Sequence, residues 1–226
     1  MELVNIVCVY YGLKYPIDYV QVLYNMVQRN ITVPHRFICF TDHIKPQKLL
    51  SNDIEFRKFK HNDYEGWWNK MQLFTEEANL QGPCLYFDLD VVILNNIDDM
   101  CTFGNEHTFG VINDFNPNSG LYNSSVMKFN NENAHEIWRQ FQIHKTELMQ
   151  LQGDQNVISK IVKNWDNKLV MPDDWTYSYK WHDRVNPRFH KSEWKFELRP
   201  ECKVCVFHGQ PNPHNAENEW VSQYWQ

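Results

Sequence analysis

The sequence predicts an α/β domain in which helices flank a central mixed, mainly parallel sheet. Short apolar runs alternate with segments whose apolar residues recur at helical spacing, a rhythm typical of a mainly parallel sheet. The 226 residues suit one domain, and no linker or internal repeat divides them. With 42% hydrophobic and 22% charged residues, the composition is globular.

The first half of the chain has the order strand, helix, strand, strand, helix, strand. The apolar, β-branched run 3–10 predicts the first strand, and Val20, Leu23 and Val27 mark the first helix. A stripe of Trp67, Met71, Phe74 and Ala78 predicts the second helix. The predicted elements are strands 3–10, 36–41, 54–59 and 84–87 and helices 17–29 and 67–80.

The second half is more mixed. It predicts strands 108–112, 121–129 and 204–208 and helices 133–148 and 154–162. The aromatic tail 220–226 is expected to dock on the body of the protein, and peripheral contact with a membrane surface is the alternative.

Charge and composition exclude some classes of protein. The net charge is −6 and no dense Lys/Arg run is present, which argues against a nucleic-acid partner. The apolar N-terminal run lacks a basic region and is too short for a signal peptide, and no stretch reaches transmembrane length. We therefore expect a cytoplasmic protein with reduced thiols.

The aromatic content has two interpretations. Aromatic residues make up 15% of the chain, including 9 Trp. These rings either build the core or form a surface that stacks on sugars. Composition leaves both open.

An acidic pair, Asp88 and Asp90, directly follows the apolar run 84–87. Ligands bind beyond the carboxyl ends of the strands in open α/β sheets. Side chains two residues apart on an extended chain point the same way, so both carboxylates can approach one cation while Leu89 turns inward. A solvated turn is the alternative, but the apolar run 91–94 after the pair favours a site.

His208, which ends the last predicted strand and precedes Gly209, is a third candidate ligand. Two carboxylates with an imidazole suit Mn²⁺ somewhat better than Mg²⁺, which prefers shells of oxygen alone. A structural His is the alternative.

Four short motifs stand in order along most of the chain. They are Tyr86-Phe87-Asp88-Leu89-Asp90, Asn118-Ser119-Gly120, Gly153-Asp154-Gln155-Asn156 and Phe207-His208-Gly209. In this order they resemble the motifs of the GT-A glycosyltransferases, especially the glycogenin-like and bacterial lipopolysaccharide galactosyltransferase-like enzymes. The resemblance implies the GT-A (Rossmann-like) fold in one domain, 1–226, with its nucleotide-binding part at about 1–95 and its acceptor and sugar part at about 96–226.

The resemblance also implies roles for individual residues. Those implied near the sugar nucleotide are Val9, Tyr10, Tyr11, Asp42, Lys70, Asp88, Leu89, Asp90, Asn118, Ser119 and Gly209. Asp154 and Gln155 are implied to orient the donor sugar or the acceptor hydroxyl, and Lys70 to assist at the phosphates. Asp88, Asp90 and His208 are the implied ligands of Mn²⁺ or Mg²⁺.

The chain departs from the family at one charged position. The family often carries a Lys a few residues after the late His-Gly segment, where this chain has the neutral Asn212. Lys70 is therefore expected to carry more of the charge opposite the diphosphate.

The stereochemistry is implied by resemblance alone. The nearest family retains anomeric configuration, and there the leaving phosphate itself takes the proton of the acceptor. An inverting enzyme needs a side-chain base, for which Asp154 and Asp114 are the candidates.

We therefore expect a metal-dependent glycosyltransferase that moves a hexose to a glycan or another hydroxyl acceptor. The resemblance favours a UDP-sugar donor, with a GDP-sugar as the alternative. Two other classes stay open: a non-catalytic carbohydrate-binding module, and a metal-dependent nucleotidyl or phosphoryl transferase, which also needs paired carboxylates.

Overall fold

The computed structural model describes residues 2–43, 50–180 and 201–226. The strands are β1 Val4–Tyr10, β2 His35–Thr41, β3 Ile54–Lys58, β4 Pro83–Phe87, β5 Val91–Ile93, β6 Phe109–Asn113, β7 Tyr122–Asn130, β8 Lys168–Val170, β9 Thr176–Ser178 and β10 Val204–Val206. The α-helices are α1 Asp18–Asn30, α2 Asp98–Cys101, α3 Asn131–Ile143, α4 Lys145–Leu148, α5 Asp154–Val162 and α6 Glu219–Tyr224. Short 3-10 helices cover Gly66–Phe74, Glu76–Ala78, Asp173–Trp175 and Pro213–Asn215.

The larger sheet has seven strands in the order β3-β2-β1-β4-β7-β6-β8. Strands β1 to β4 run parallel, β7 is antiparallel to both β4 and β6, and β8 is parallel to β6. The predicted mixed, mainly parallel sheet is therefore confirmed. Its parallel register brings the carboxyl ends of β1, β2 and β4 to one edge.

Helices cover both faces of this sheet. Alternate side chains of β1 serve the two faces: Ile6 and Cys8 pack in one apolar cluster with α1, and Val7 packs in a second cluster. The second cluster also takes its side chains from the 3-10 segment Gly66–Phe74 and from α3 and α5. Strict alternation along one strand thus builds two apolar layers.

A second sheet of three strands joins distant parts of the chain. Strand β10 pairs antiparallel with β5 and parallel with β9. Past the last pair, Val206 with Val91, the Phe207 N–H donates to the Asp90 carbonyl at 3.3 Å. This pairing places His208, the residue after Phe207, beside Asp90 of the acidic pair.

The predicted helix 67–80 forms as two 3-10 segments instead, separated by Thr75 in an extended conformation. With three residues per turn, the buried stripe is Trp68, Met71 and Phe74. The predicted stripe is therefore wrong at Trp67, whose side chain is 56% exposed.

Smaller differences concern element ends. The predicted helix 133–148 begins two residues earlier and breaks at His144, which gives α3 and α4. The last predicted strand ends at Val206, so His208 follows the strand at a distance of two residues.

The C-terminal tail docks on the body, as expected. Val221 is buried, and the Trp225 ring meets Tyr19 edge-on with the ring centroids 4.8 Å apart. The Arg29 guanidinium donates to the carbonyls of Tyr224 and Gln226. Among the described residues, no helix combines the length and apolarity needed to span a bilayer.

Candidate active site

A cleft of about 560 Å³ opens at the carboxyl edge of the larger sheet. Most of the sequence-predicted site residues line it. They are Val9, Tyr11, Lys70, Asp88, Leu89, Asp90, Asp154, Gln155, His208 and Gly209. Its walls therefore contain residues from both the nucleotide-binding part and the acceptor and sugar part that the resemblance implies. The boundary between these parts near residue 95 stays a prediction.

The end of β4 delivers the acidic pair to this cleft. The Asp88 N–H donates to the Ser125 carbonyl at 2.9 Å, which continues the β4–β7 ladder by one residue. Leu89 is buried, as predicted, but Leu89 and Asp90 lie in a turn beyond β4 and not on an extended strand. Asp88, Leu89 and Asp90 all line the cleft.

Lys70 links Asp88 to Asp154 at the base of the cleft. Its Nζ lies 2.9 Å from Asp88 Oδ1 and 2.6 Å from Asp154 Oδ2. It also lies 3.2 Å from the Ser124 Oγ, and that hydroxyl donates to Asp154 at 2.8 Å. The Lys70 side chain is only 7% exposed, so these groups replace the water that its charge has lost.

The pKa values in this network follow from the contacts. Burial disfavours the Lys70 ammonium, but the charges of Asp154 and Asp88 outweigh it and raise the pKa of Lys70. Burial also disfavours the Asp88 carboxylate, but Lys70 and a hydrogen bond from Tyr86 at 2.5 Å lower the pKa of Asp88. The charges of Lys70 and Asp88 are therefore stable at neutral pH in this arrangement.

Asp90 has a different environment. It is buried, and its Oδ2 accepts a hydrogen bond of 2.8 Å from the Tyr15 hydroxyl. Burial and the neighbouring charge of Asp88 raise the pKa of Asp90 to about 6, against the opposing effects of Tyr15 and Lys14. Near pH 7 the carboxylate therefore carries a charge that the protein compensates poorly.

His208 lies beyond β10, directly after Phe207, whose N–H donates to the Asp90 carbonyl. Its Nε2 is 2.6 Å from the Ser178 Oγ, and its ring packs against Phe115. Burial and the positive charge of Lys180 lower the pKa of His208 to about 4, so the imidazole is neutral at pH 7. Gly209 follows with a φ of 72°, a left-handed conformation that favours glycine and turns the chain away from the strand.

The donor types at the cleft suit a divalent cation. Asp88 and Asp90 offer carboxylate oxygens, and a neutral imidazole such as that of His208 is the form that binds metal. In the described part of the chain, however, no three His, Cys, Asp or Glu side chains are grouped closely enough to hold an ion. Asp88 is turned towards Lys70, Asp90 towards Tyr15 and His208 towards Ser178. Binding an ion therefore requires these three side chains to move.

Helix α5 presents Asp154 and Gln155 to the cleft from its first turn. Gly153 is the N-cap residue, so Asp154 is the first residue of the helix, and its carboxylate accepts from the Ser124 hydroxyl. Gln155 Oε1 accepts from the Asn123 side chain at 3.1 Å. Both α5 residues are thereby fixed by β7.

A second cavity of about 750 Å³ adjoins the cleft. Tyr10, Thr41 and His43 line it, and the Tyr10 and His43 rings stack with centroids 4.8 Å apart. Tyr10 and Tyr11 therefore serve different cavities. Asp42 accepts a hydrogen bond of 3.3 Å from the Gly12 N–H and so ties the end of β2 to the loop after β1.

Two predicted sugar contacts lie elsewhere. Asn118 is exposed on a turn whose N–H groups bond to Asn116 and Ser119 side chains, and neither Asn118 nor Ser119 lines the cleft. A local Asn-Ser-Gly pattern favours turns, and a turn is what forms here.

Sequence reasoning missed other residues of the cleft. Asn123, Ser124 and Ser125 line it from β7. A signal was available, because β7 is a long predicted strand whose polar start interrupts an otherwise apolar run. Tyr15 was also missed, and no local pattern marks it.

Asn212, which stands near the place of the family's late Lys, has a structural role. It is buried and forms a reciprocal capping box with Asn215 at the 3-10 helix Pro213–Asn215. It does not line the cleft.

The architecture is shared with solved glycosyltransferases. It superposes on glycosyltransferase GlyE of Streptococcus pneumoniae TIGR4 with a TM-score of 0.73, 14% identity and coverage of 98% of this chain. The chain has the GT-A fold. It spans only 60% of the GlyE chain.

A second structural neighbour is closer in size. An active-site mutant of LgtC matches with a TM-score of 0.69 and 13% identity, over 97% of this chain and 93% of that one. LgtC is a galactosyltransferase solved in complex with donor and acceptor sugar analogues, and that structure matches with a TM-score of 0.66. No protein-family model and no curated protein matches the sequence.

Proposed function

We propose that the protein is a metal-dependent glycosyltransferase that moves a hexose from a sugar nucleotide to a hydroxyl acceptor. One observation carries the proposal. In a fold shared with glycosyltransferases, a single cleft joins the acidic pair at the end of β4 to Asp154 and Gln155 through the buried Lys70.

The two adjoining cavities suit a ligand with two ends. The His43 ring, stacked on the buried Tyr10, offers a flat surface for a nucleobase, and the polar cleft offers carboxylate and amide groups for sugar hydroxyls. A nucleoside diphosphate sugar has this bipartite form. We take a UDP-sugar as the donor and a GDP-sugar as the alternative.

Asp88, Asp90 and His208 are the residues that would hold Mn²⁺ or Mg²⁺. Such an ion would stabilise negative charge on the departing diphosphate. The poorly compensated charge of Asp90 supports this assignment, because a bound cation removes the unfavourable effect of Asp88 on its neighbour.

Transfer exchanges one bond for another. The acceptor oxygen forms a bond to the anomeric carbon, the bond from that carbon to the diphosphate oxygen breaks, and the acceptor proton passes to the leaving phosphate if configuration is retained. The Asp154 carboxylate already accepts from Lys70 and Ser124, which favours a positioning role for it over that of a base. In an inverting enzyme, Asp114 on the cleft wall would then be the better base.

Gln155 and Asn123 are placed to orient sugar hydroxyls. Their side chains bond to each other on the cleft wall. Amide groups of this kind both donate and accept, as recognition of a hydroxyl requires. The acceptor is a glycan or another hydroxyl compound, in keeping with the acceptor sugar analogue in the LgtC complex.

Release of nucleotide from a panel of sugar nucleotides tests the proposal. The protein is incubated with Mn²⁺ and UDP- and GDP-hexoses, with and without simple glycans. We expect release of UDP or GDP that is lost in Asp90→Asn. The control variant Asp99→Asn, which changes an exposed carboxylate, should retain it.

Other outcomes identify the two other classes. Glycan binding that is insensitive to a chelator and to Asp90→Asn identifies a carbohydrate-binding module. Release of pyrophosphate from a nucleoside triphosphate identifies a nucleotidyltransferase. No turnover of any sugar nucleotide contradicts the proposal.

A further inference from the structure

The described walls of the cleft carry more acidic than basic groups. Asp88, Asp90, Asp114 and Asp154 line it, and the Lys70 ammonium is already engaged by Asp88 and Asp154. A diphosphate adds further negative charge to this cleft. A positive group other than Lys70 would therefore favour its binding, in addition to any metal ion.

Lys14 is a cation on the wall between the two cavities. Leu13, Lys14 and Tyr15 line both the cleft and the second cavity. If the nucleobase lies in one cavity and the sugar in the other, the diphosphate that joins them crosses this shared wall. This step rests on the proposed function.

The Lys14 side chain is directed along this wall. Its Nζ lies 4.6 Å from the centroid of the Tyr15 ring, and the hydroxyl of that ring donates to Asp90. An ammonium over an aromatic face is attracted to the ring while the rest of its surface stays available to a ligand. Lys14 is also exposed, so an anion can reach it without unfolding any element.

We propose that Lys14 binds the diphosphate of the sugar nucleotide. The charge that the family's late Lys would supply comes here from the loop after β1, since Asn212 is a neutral cap away from the cleft. As the bond to the anomeric carbon breaks, charge grows on the diphosphate, and the Lys14 ammonium stabilises it there. Lys14 is thus a substrate-binding residue that contacts the leaving group.

Calorimetric titration with a nucleotide series tests this assignment. UDP, UMP and uridine are titrated with Mn²⁺ into the wild-type protein, Lys14→Gln, Lys14→Arg and Lys60→Gln, and GDP is titrated into the wild-type protein. Lys60 is an exposed lysine outside both cavities, so it is a matched control for the change in charge.

We expect Lys14→Gln to weaken UDP binding about tenfold, the effect of losing one charge-assisted hydrogen bond. The affinity for UMP should fall less in Lys14→Gln, and uridine should bind equally to this variant and to the wild-type protein. Lys14→Arg should bind UDP within about threefold of wild type, because it keeps the charge. Lys60→Gln should match wild type.

Three results overturn the assignment. The first is a Lys14→Gln variant that binds UDP as tightly as Lys60→Gln does. The second is an equal loss for UDP and uridine, which would place Lys14 against the base. The third is a wild-type protein that binds neither UDP nor GDP, which overturns the proposed donor as well, whereas either of the first two leaves the proposed function intact.

Discussion

The two carboxylates of the acidic pair, Asp88 at one end and Asp90 at the other, are compensated differently by the groups around them. At one end, Asp88 shares the Lys70 ammonium with Asp154 and accepts from Tyr86, and its pKa is lowered. At the other end, Asp90 is buried with one tyrosine hydroxyl, and its pKa is raised to about 6. The Asp88 end is complete without a ligand, while the Asp90 end still lacks positive charge.

This difference separates positioning from binding. A closed network of buried ion pairs holds its members in fixed places. A carboxylate left partly uncompensated favours a bound cation, because the ion removes an electrostatic cost. We therefore interpret Lys70 and Asp154 as the rigid base of the cleft and Asp90 as the part that a metal completes.

Breaking the closed network should have the largest effect. Lys70→Met leaves the Asp88 and Asp154 carboxylates without their shared cation, and we expect the free energy of unfolding to fall by about 3–5 kcal/mol. Urea unfolding at pH 7 measures it. The control is Lys145→Met, which removes an exposed ion pair with Asp63 and should cost less than about 1 kcal/mol. Equal losses in the two variants would show that the network is not closed.

Neutralising the other end should stabilise the metal-free protein. The folded-state pKa of Asp90, about 6, lies above its ordinary value of 3.8. The folded protein therefore holds this proton more tightly than the unfolded chain does, and the contribution of Asp90 to stability falls as the pH rises from about 4 to about 6.

Asp90→Asn removes this penalty. We expect it to raise the free energy of unfolding by about 1–3 kcal/mol at pH 7 in metal-free buffer. The gain should disappear below pH 4, where the carboxyl is protonated in both states. Asp99→Asn, which changes an exposed carboxylate, is the control. A variant that is less stable than wild type at pH 7 would contradict the interpretation.

Removing the tyrosine donor sharpens the comparison further. Tyr15→Phe deletes the hydrogen bond to Asp90, and we expect a loss of about 1 kcal/mol at pH 7. The loss should shrink as Asp90 is protonated. Unfolding curves at pH 7 and pH 4 measure both values. Tyr24→Phe, which removes a longer and exposed bond to Asp53, should change little at either pH.

The smallest effect is expected at Asn118. Because its side chain is exposed on a turn outside the cleft, Asn118→Ala should change stability by less than about 0.5 kcal/mol. Sugar nucleotide turnover should fall more in Asn123→Ala, which loses the bond to Gln155, than in Asn118→Ala. A greater loss of turnover in Asn118→Ala would restore the role that the resemblance implied for that residue.

Local pattern predicted the parts of this site that a strand end determines. The apolar run before Asp88 was enough to place the acidic pair at the sheet edge, although Leu89 and Asp90 form a turn there and not the expected extended chain. The pattern failed between Trp67 and Ala78, because Trp67 and Trp68 are both apolar and either can start a stripe. In the folded protein this segment forms a 3-10 helix that buries Trp68, and Trp67 lies on the cleft wall.

Contacts between distant segments could not be predicted in this way. The Tyr15 hydroxyl reaches Asp90, and Lys70 reaches Asp154, only because the sheet order brings their elements together. The resemblance supplied Asp154 through motif order, and the predicted strand end before Gly209 marked His208, whereas Tyr15 and Ser124 belong to none of these motifs. Their roles depend on three-dimensional arrangement.

Calorimetric titration of UDP into the wild-type protein and Asp90→Asn, with Mn²⁺ or with a chelator, tests the central claim most directly. Because a metal should complete the Asp90 end, wild-type protein should bind UDP at least about tenfold more tightly with Mn²⁺ than with the chelator. Asp90→Asn should lose that difference. Equal UDP affinity in all four combinations would contradict the claim that Asp90 and a metal ion together hold the diphosphate.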